Sequence, residues 1–324
     1  MFLSFAPLEG ITNHTYRRLH REHFGGADAY YAPFLAPDGS GQCKDSTLRD
    51  LLPELNPQGL PVPQILCNKA EAFLVVARLL RDMGYEEVNL NAGCPSGTVV
   101  PKHKGAGMLL DLRSLDEFLA EVFAHCPLRL SVKTRLGVES TDEFPEVLEI
   151  YNRYPLSELI IHARDRAGMY KSPVDSAAFA RAFPQSRCPV CYNGDVFSPA
   201  HRERLQEQVP GLNRFMLGRG AVANPALFRQ LRGGRAGEKQ EMRDFHDHLL
   251  QCYREEGLSD FFAVGRMKEL WNYMSHLYPD SRKALKRIYK SRSLSDYQSA
   301  AADFFSTAVY DSGRYFTIEG AYGN

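Results

Sequence analysis

Short apolar runs bounded by turn residues recur along the first two-thirds of the chain. They fall at Leu3–Ala6, Ala29–Ala32, Val62–Cys67, Glu87–Asn91, Leu128–Thr134, Glu158–Ala163, Pro189–Asn193 and Arg214–Gly218. Between many of them lie longer stretches with helical spacing. In 70–83, for example, Phe73, Val76, Ala77 and Leu80 share one stripe and Gly84 marks a stop. Alternating strand and helix, repeated to residue 220, is the pattern of an α/β (β/α)8 TIM barrel. A doubly wound open sheet would need a Gly-rich dinucleotide turn after its first strand. That position reads Ala6-Pro7-Leu8-Glu9-Gly10 instead. After a glycine-rich boundary at Gly233-Gly234-Arg235-Ala236-Gly237, only helical patterns follow, at 241–256, 261–277, 281–291 and 294–309. The expected organisation is a barrel over 1–235 and a small all-helical unit over 240–324.

Alternation along the strands sorts side chains into two faces. With Val88 and Leu90 facing the helices, Asn89 and Asn91 point into the barrel. Leu130 and Val132 face out, leaving Ser131, Lys133 and Arg135 inward or at the rim. Leu159 and Ile161 face out, leaving Ile160, His162 and Arg164 inward, and Gln64 sits among apolar neighbours. These polar groups fall late in their strands, at the end where barrels keep their chemistry. Any one of them could be a salt-bridged strand end. Burying the whole set without partners would cost several kcal/mol, so together they ask for a polar, anionic ligand.

The turns Asn193-Gly194-Asp195 and Gly218-Arg219-Gly220 follow the last two strands, where barrels commonly bind phosphate through backbone N–H groups. Flavin mononucleotide (FMN) satisfies the pattern: phosphate at the glycine turns, amides along the ring edge, Lys133 on the electron-rich side. Cys94 lies just beyond the fourth strand, in Asn91-Ala92-Gly93-Cys94-Pro95-Ser96. A thiol keeps its proton at neutral pH, which suits a proton donor over a flavin. A small hydrophobe in a turn reads equally well.

A formal net charge of +0 excludes a protein that coats nucleic acid by bulk electrostatics, so a polyanion would have to meet a local patch. One such patch is present. Arg282, Lys283, Lys286, Arg287, Lys290 and Arg292 occur between Ser281 and Ser295 without an acidic residue, and 283, 286, 287 and 290 share a helical face. Upstream, Arg266 and Lys268 stand near Trp271 and Tyr273, an interleaving that suits phosphate beside a stacked base. A solvated charged face is the alternative, as it is for Lys102, His103 and Lys104 in the loop 97–104. No run approaches the roughly 18 apolar residues needed to span a bilayer. The start of the chain lacks a signal-peptide pattern, and the seven Cys show no disulfide or zinc framework. Cys188 and Cys191 read as core packing. The expectation is a cytoplasmic, reduced protein without metal, and a monomer.

Taken in order, these motifs resemble the tRNA-dihydrouridine synthases over roughly residues 5–228. Ala6-Pro7-Leu8-Glu9-Gly10-Ile11-Thr12 is similar to the family's Pro-Met-x-Gly-Val-Thr-Asp opening, and Asn89-Leu90-Asn91-Ala92-Gly93-Cys94-Pro95 to its cysteine loop. Lys133-Thr134-Arg135-Leu136-Gly137, His162-Ala163-Arg164, Asn193-Gly194-Asp195 and Gly218-Arg219-Gly220-Ala221 through Asn224-Pro225 follow in the family's order. The resemblance implies FMN, NADPH as reductant, and reduction of the uracil 5,6 double bond in folded tRNA, with hydride passing to C6 and a proton from Cys94 to C5. It places cofactor contacts on Pro7, Gln64, Lys133, His162, Asn193, Gly194, Asp195, Gly218 and Arg219. Asn91 and Arg164 would lie against the base. Arg135, Lys102, Arg266, Lys268, Lys283, Lys286, Arg287 and Lys290 complete the substrate-side candidates. Two departures stand out: Leu8 replaces Met, and Asp165-Arg166-Ala167-Gly168-Met169-Tyr170 replaces Thr-Arg-Glu-Gln-x-Tyr. Three other readings use parts of the same pattern: a dihydroorotate dehydrogenase-like enzyme on a free pyrimidine, an aldolase-type barrel with Lys133 as Schiff-base amine, and a barrel that binds RNA without chemistry.

Overall fold

A computed structural model describes residues 1–317. The eight strands expected from the apolar runs are all present: β1 (Phe2–Phe5), β2 (Ala29–Tyr30), β3 (Gln64–Ile65), β4 (Glu87–Ala92), β5 (Arg129–Gly137), β6 (Leu159–Asp165), β7 (Val190–Asn193) and β8 (Arg214–Leu217). They pair in parallel in the order β2-β1-β8-β7-β6-β5-β4-β3. Bridges from Tyr31 to Val62 and from Leu35 to Ile65 join the two edge strands and close the barrel.

The helices are α1 (His14–His23), α2 (Asp45–Arg49), α3 (Ala70–Asp82), α4 (Leu112–His125), α5 (Phe144–Tyr151), α6 (Ser176–Ala182), α7 (Pro199–Gln208), α8 (Arg219–Ala223) and α9 (Leu227–Leu231). The tail adds α10 (Lys239–Glu255), α11 (Asp260–Met274), α12 (Arg282–Lys290) and α13 (Leu294–Thr307). No helix among the described residues is long and apolar enough to cross a membrane.

The two faces of the strands separate as alternation requires. Val88, Leu90, Leu130, Val132, Leu159 and Ile161 join the large core under the helices, with Phe73, Val76, Ala77 and Leu80 of α3 opposite. Inside the barrel a small separate layer holds Ala6, Tyr31, Ile160, Cys191 and Met216. Below it Glu158 takes Arg214 at 2.5 Å and the Tyr31 hydroxyl at 3.2 Å, a polar plug for the amino-terminal end. The opposite, carboxyl end is left open.

The helical tail docks on the barrel rather than trailing from it. Phe245 of α10 meets Tyr16 of α1 edge-on at 5.4 Å. Thr15 donates its hydroxyl to Glu256, just past α10, at 2.7 and 2.8 Å. The glycine-rich connection is itself pinned, because Arg229 donates to the carbonyls of Arg235 and Ala236 and pairs with Glu241.

Candidate active site

A cavity of about 580 Å³ opens at the carboxyl end of the barrel. Pro7, Gln64, Asn91, Cys94, Lys133, His162, Asn193, Gly194, Asp195, Gly218 and Arg219 all line it. Residues from six strand ends and two turns, from Pro7 to Arg219, therefore meet around one space.

A chain of amides forms one wall. The N–H groups of Gly93 and Cys94 donate to Asn91 Oδ1 at 3.1 and 2.9 Å. Asn91 Nδ2 donates to Gln64 Oε1 at 2.7 Å, Gln64 Nε2 to Asn89 Oδ1 at 2.8 Å, and Asn89 Nδ2 to the Ser131 hydroxyl at 2.9 Å. Backbone N–H groups can only donate, so the first link fixes the orientation of every amide behind it. Asn91 thus holds the cysteine loop as well as facing the cavity. From the other side Ala106 donates its N–H to the Cys94 carbonyl at 3.0 Å. Gly105 makes this approach possible: its φ is +57°, and a Cβ there would lie 2.8 Å from Cys94 Cβ.

Lys133 reaches the cavity with no hydrogen bond or ion pair to another described residue. Burial, with Arg135 nearby, pulls its pKa down to about 8. An amine in that position gains from an anionic or hydrogen-bond-accepting ligand. Burial also holds His162 well below its usual pKa, helped by Arg135, Lys133, Arg164 and Arg219. The neutral ring receives a hydrogen bond at Nε2 from Arg164 at 3.1 Å, which leaves Nδ1 as the protonated nitrogen. Asn193 donates to the Met216 carbonyl at 2.8 Å, tying the two glycine turns together. At Gly194 a Cβ would stand 2.6 Å from the Tyr192 hydroxyl, so no side chain fits there.

The two inward arginines do not line the cavity. Arg135 is fully buried and donates to the carbonyls of Gly93 (2.9 Å), Asp165 and Met169 (both 2.7 Å). Arg164 pairs with Asp195 and donates to the Ser172 carbonyl at 2.6 Å. Asp195 also takes Arg219 at 2.9 Å. In this arrangement both arginines brace loops around the cavity.

The mouth contains residues that alternation along the strands does not reveal. The Tyr170 ring lies tilted beside His162, at 5.8 Å, and 5.1 and 5.2 Å from the guanidinium carbons of Arg135 and Arg219. Asn272 and Tyr273 of α11 and Phe316 beyond α13 complete the wall, with Leu8, Phe34 and Phe197. The departure at 165–170 is therefore part of the cavity. Its signal in the sequence is the lone aromatic, Tyr170, in a polar loop.

The distal candidates are scattered more widely. Lys102 is exposed on the loop after Cys94. Arg266 packs over Tyr253. Lys268 donates to the Ser291 carbonyl at 2.7 Å and caps the end of α12. Trp271, expected beside a stacked base, is instead fully buried and donates to the Tyr297 hydroxyl at 2.9 Å. It lies on the core side of α11, opposite Tyr273. On α12, Lys283, Lys286 and Lys290 are exposed and make no ion pair among the described residues, while Arg287 pairs with Asp303. Tyr289 of the same helix donates to Asn272 at 2.6 Å, so the basic helix adjoins the cavity wall. Among the described residues no three His, Cys, Asp or Glu are grouped to hold a metal ion.

Fold and site together define a barrel with a polar-lined cavity at the carboxyl end of its strands and a cysteine held at the cavity's edge. The chain belongs to the dihydrouridine synthase family, whose model matches residues 4–296. It is 30% identical over 295 residues to the tRNA-dihydrouridine(16) synthase of Pseudomonas putida, covering 87% of this chain and 90% of that one. The enzyme of the same name from Ralstonia nicotianae is 30% identical over 307 residues, with 89% and 92% covered. Among solved structures, morphinone reductase is similar in fold: TM-score 0.51, 12% identity, 74% of this chain and 87% of that one.

Proposed function

We propose that this protein is a tRNA-dihydrouridine synthase that reduces the 5,6 double bond of uridine at position 16 of transfer RNA, using FMN and NADPH. The single observation that carries the reading is the cavity that brings Lys133, the oriented amides and Cys94 together in a chain that the family model matches over residues 4–296. Position 16 is favoured because relatives named for it align along both barrel and tail.

FMN, when bound, supplies the hydride that adds to C6 of the uracil. Lys133, Gln64 and His162 suit its ring system, and the turns at Gly194 and Gly218, with Arg219, suit its phosphate. Pro7, Asn193 and Asp195 complete that side. Cys94 Sγ delivers the proton to C5. Asn91 sets the position of that thiol through the two N–H groups it accepts and stands ready for the base. Arg135 acts on the substrate side through the Asp165–Met169 segment it clamps, and Arg164 through Asp195 and His162. Residues 1–235 form the catalytic unit. The helices from 240 onward, led by Lys283, Lys286, Arg287 and Lys290, meet the RNA phosphates, with Lys102, Arg266 and Lys268 as further contacts.

The test is to supply unmodified tRNA and NADPH to the FMN-loaded protein and map dihydrouridine along the product. Dihydrouridine at position 16 is the expected outcome. Its appearance elsewhere would overturn the position, and its absence the activity.

A further inference from the structure

The chain beyond α13 turns back across the molecule. In the segment Asp311–Thr317 every residue is exposed except Phe316, which is half-buried and lines the same cavity as Lys133. Its ring meets Phe197, after the β7 turn, at 5.5 Å and lies 5.3 Å from the guanidinium carbon of Arg219, after β8. On the tail side it stacks on Tyr273 at 5.7 Å and meets His276 at 4.6 Å. Among the described residues the backbone is tied to the rest of the protein by Asp311 N–H to the Leu277 carbonyl (2.9 Å) and Thr317 N–H to His276 Nδ1 (3.4 Å), with Arg314 reaching the His276 carbonyl. Tyr315 packs edge-on against His201 of α7 at 4.9 Å. The segment thus bridges tail and barrel directly over the two glycine turns. It also lies outside residues 4–296, where the family model matches.

We propose that 311–317 is a strap whose Phe316 closes the cavity over the glycine turns and retains the flavin. This rests on the FMN reading above. A ring over Arg219 excludes water from the phosphate end, where a lower local dielectric strengthens the attraction between guanidinium and phosphate. Few buried contacts and exposed hydrogen bonds place the strap among the segments that open at low cost. It can therefore lift to admit the cofactor and close behind it. Phe316 is a positioning residue that acts through Arg219 and the excluded water, and it takes no part in hydride or proton transfer.

The test compares FMN release from full-length protein, wild type against Phe316→Ala and Phe316→Tyr. Release is followed by recovery of flavin fluorescence after dilution, and thermal unfolding of the apoproteins is recorded alongside. Phe316→Ala should release FMN roughly tenfold faster, the factor that ~1.4 kcal/mol of aromatic packing yields. Phe316→Tyr should restore the slow rate, and the apoprotein melting temperatures should agree. Release at the wild-type rate, or slower than it, would overturn the strap's role. So would a lower apoprotein melting temperature with unchanged release, which describes a clamp between tail and barrel. If wild-type protein takes up no FMN, the cofactor reading itself fails and the strap's role falls with it; uptake with equal release rates removes the strap alone.

Discussion

Lys133 occupies a position where burial opposes its charge, and no carboxylate among the described residues pairs with it. That combination suits two chemistries, a Schiff-base amine or a cation waiting for a ligand, and the proposed FMN site uses the second. Lys133→Ala should weaken FMN binding by roughly tenfold to a hundredfold, what ~1.5–3 kcal/mol of charge-assisted hydrogen bonding supplies. Equilibrium titration of apoprotein with FMN checks this, and unchanged affinity would remove Lys133 from the cofactor site. Cys94 separates binding from chemistry. Cys94→Ala should keep FMN and lose turnover by roughly 10²–10⁴-fold, the usual range for a positioned acid. A variant reducing tRNA at the wild-type rate would show that the proton comes from elsewhere. Both residues were legible in the sequence, because strand alternation assigns Lys133 its face and Asn91 precedes Cys94 by one short turn. Arg135 and Arg164 were legible as inward but not as braces. Arg135 donates to carbonyls, which no side-chain pattern announces, and Arg164 adds to the Ser172 carbonyl a pairing with Asp195, which lies on the next strand's turn 31 positions away.

Between elements, the joint of α1 with the corner after α10 turns on His14. Its Nδ1 lies 3.0 Å from Asp50 Oδ1, and its Nε2 lies 3.3 Å from Glu256 Oε2 as an ion pair without hydrogen-bond alignment. Arg17 also pairs with Asp50 at 2.8 Å, and Arg18 lies on the same helix. Burial works against the imidazolium, but the two carboxylates outweigh it and hold the His14 pKa above its ordinary value of 6.5. A raised histidine contributes stability that is full below its unfolded pKa and is lost as pH rises through the folded one. Asp50 and Glu256 are depressed despite burial, Asp50 by its hydrogen bonds with His14 and Arg17, Glu256 by its pairing with His14 and the hydroxyl of Thr15. Their contribution is present above the ordinary carboxylate range and fades in acid. Tail docking should therefore be firmest between those limits. Relative to His14→Gln, wild-type melting temperature should fall as pH rises from about 6 to 8.5; parallel curves would mean the joint does not titrate. No sequence signal marked this joint, since its three residues come from α1, the end of α2 and the end of α10. Trp271 shows the same limit in reverse: an aromatic beside basic residues reads as a stacking platform until the helix's buried side is known.

At the scale of the molecule, barrel and tail share one cavity, to which α11 and the strap contribute Asn272, Tyr273 and Phe316. The eight strands and four tail helices could be read from periodicity because each is set by its own residues. The mouth could not, because it is assembled from separate segments spread from Leu8 to Phe316. The hydrogen bond from Tyr289 to Asn272 joins the lysine-bearing α12 to the wall of that mouth, which fits a tail that guides a polyanion toward the barrel. Replacing Lys283, Lys286 and Lys290 together by Gln should weaken tRNA binding and leave FMN affinity unchanged. The slope of log affinity against log salt should flatten by roughly 0.7–0.9 for each phosphate no longer neutralised; an unchanged slope would place the RNA elsewhere. The central claim, a flavin that carries electrons from NADPH to a uridine in tRNA, is met most directly by the absorption spectrum of the FMN-loaded protein under anaerobic conditions. The account predicts that NADPH bleaches the flavin band and that unmodified tRNA restores it while free uridine does not. A protein that cannot be loaded with FMN, or a bleached band that tRNA leaves bleached, would contradict it.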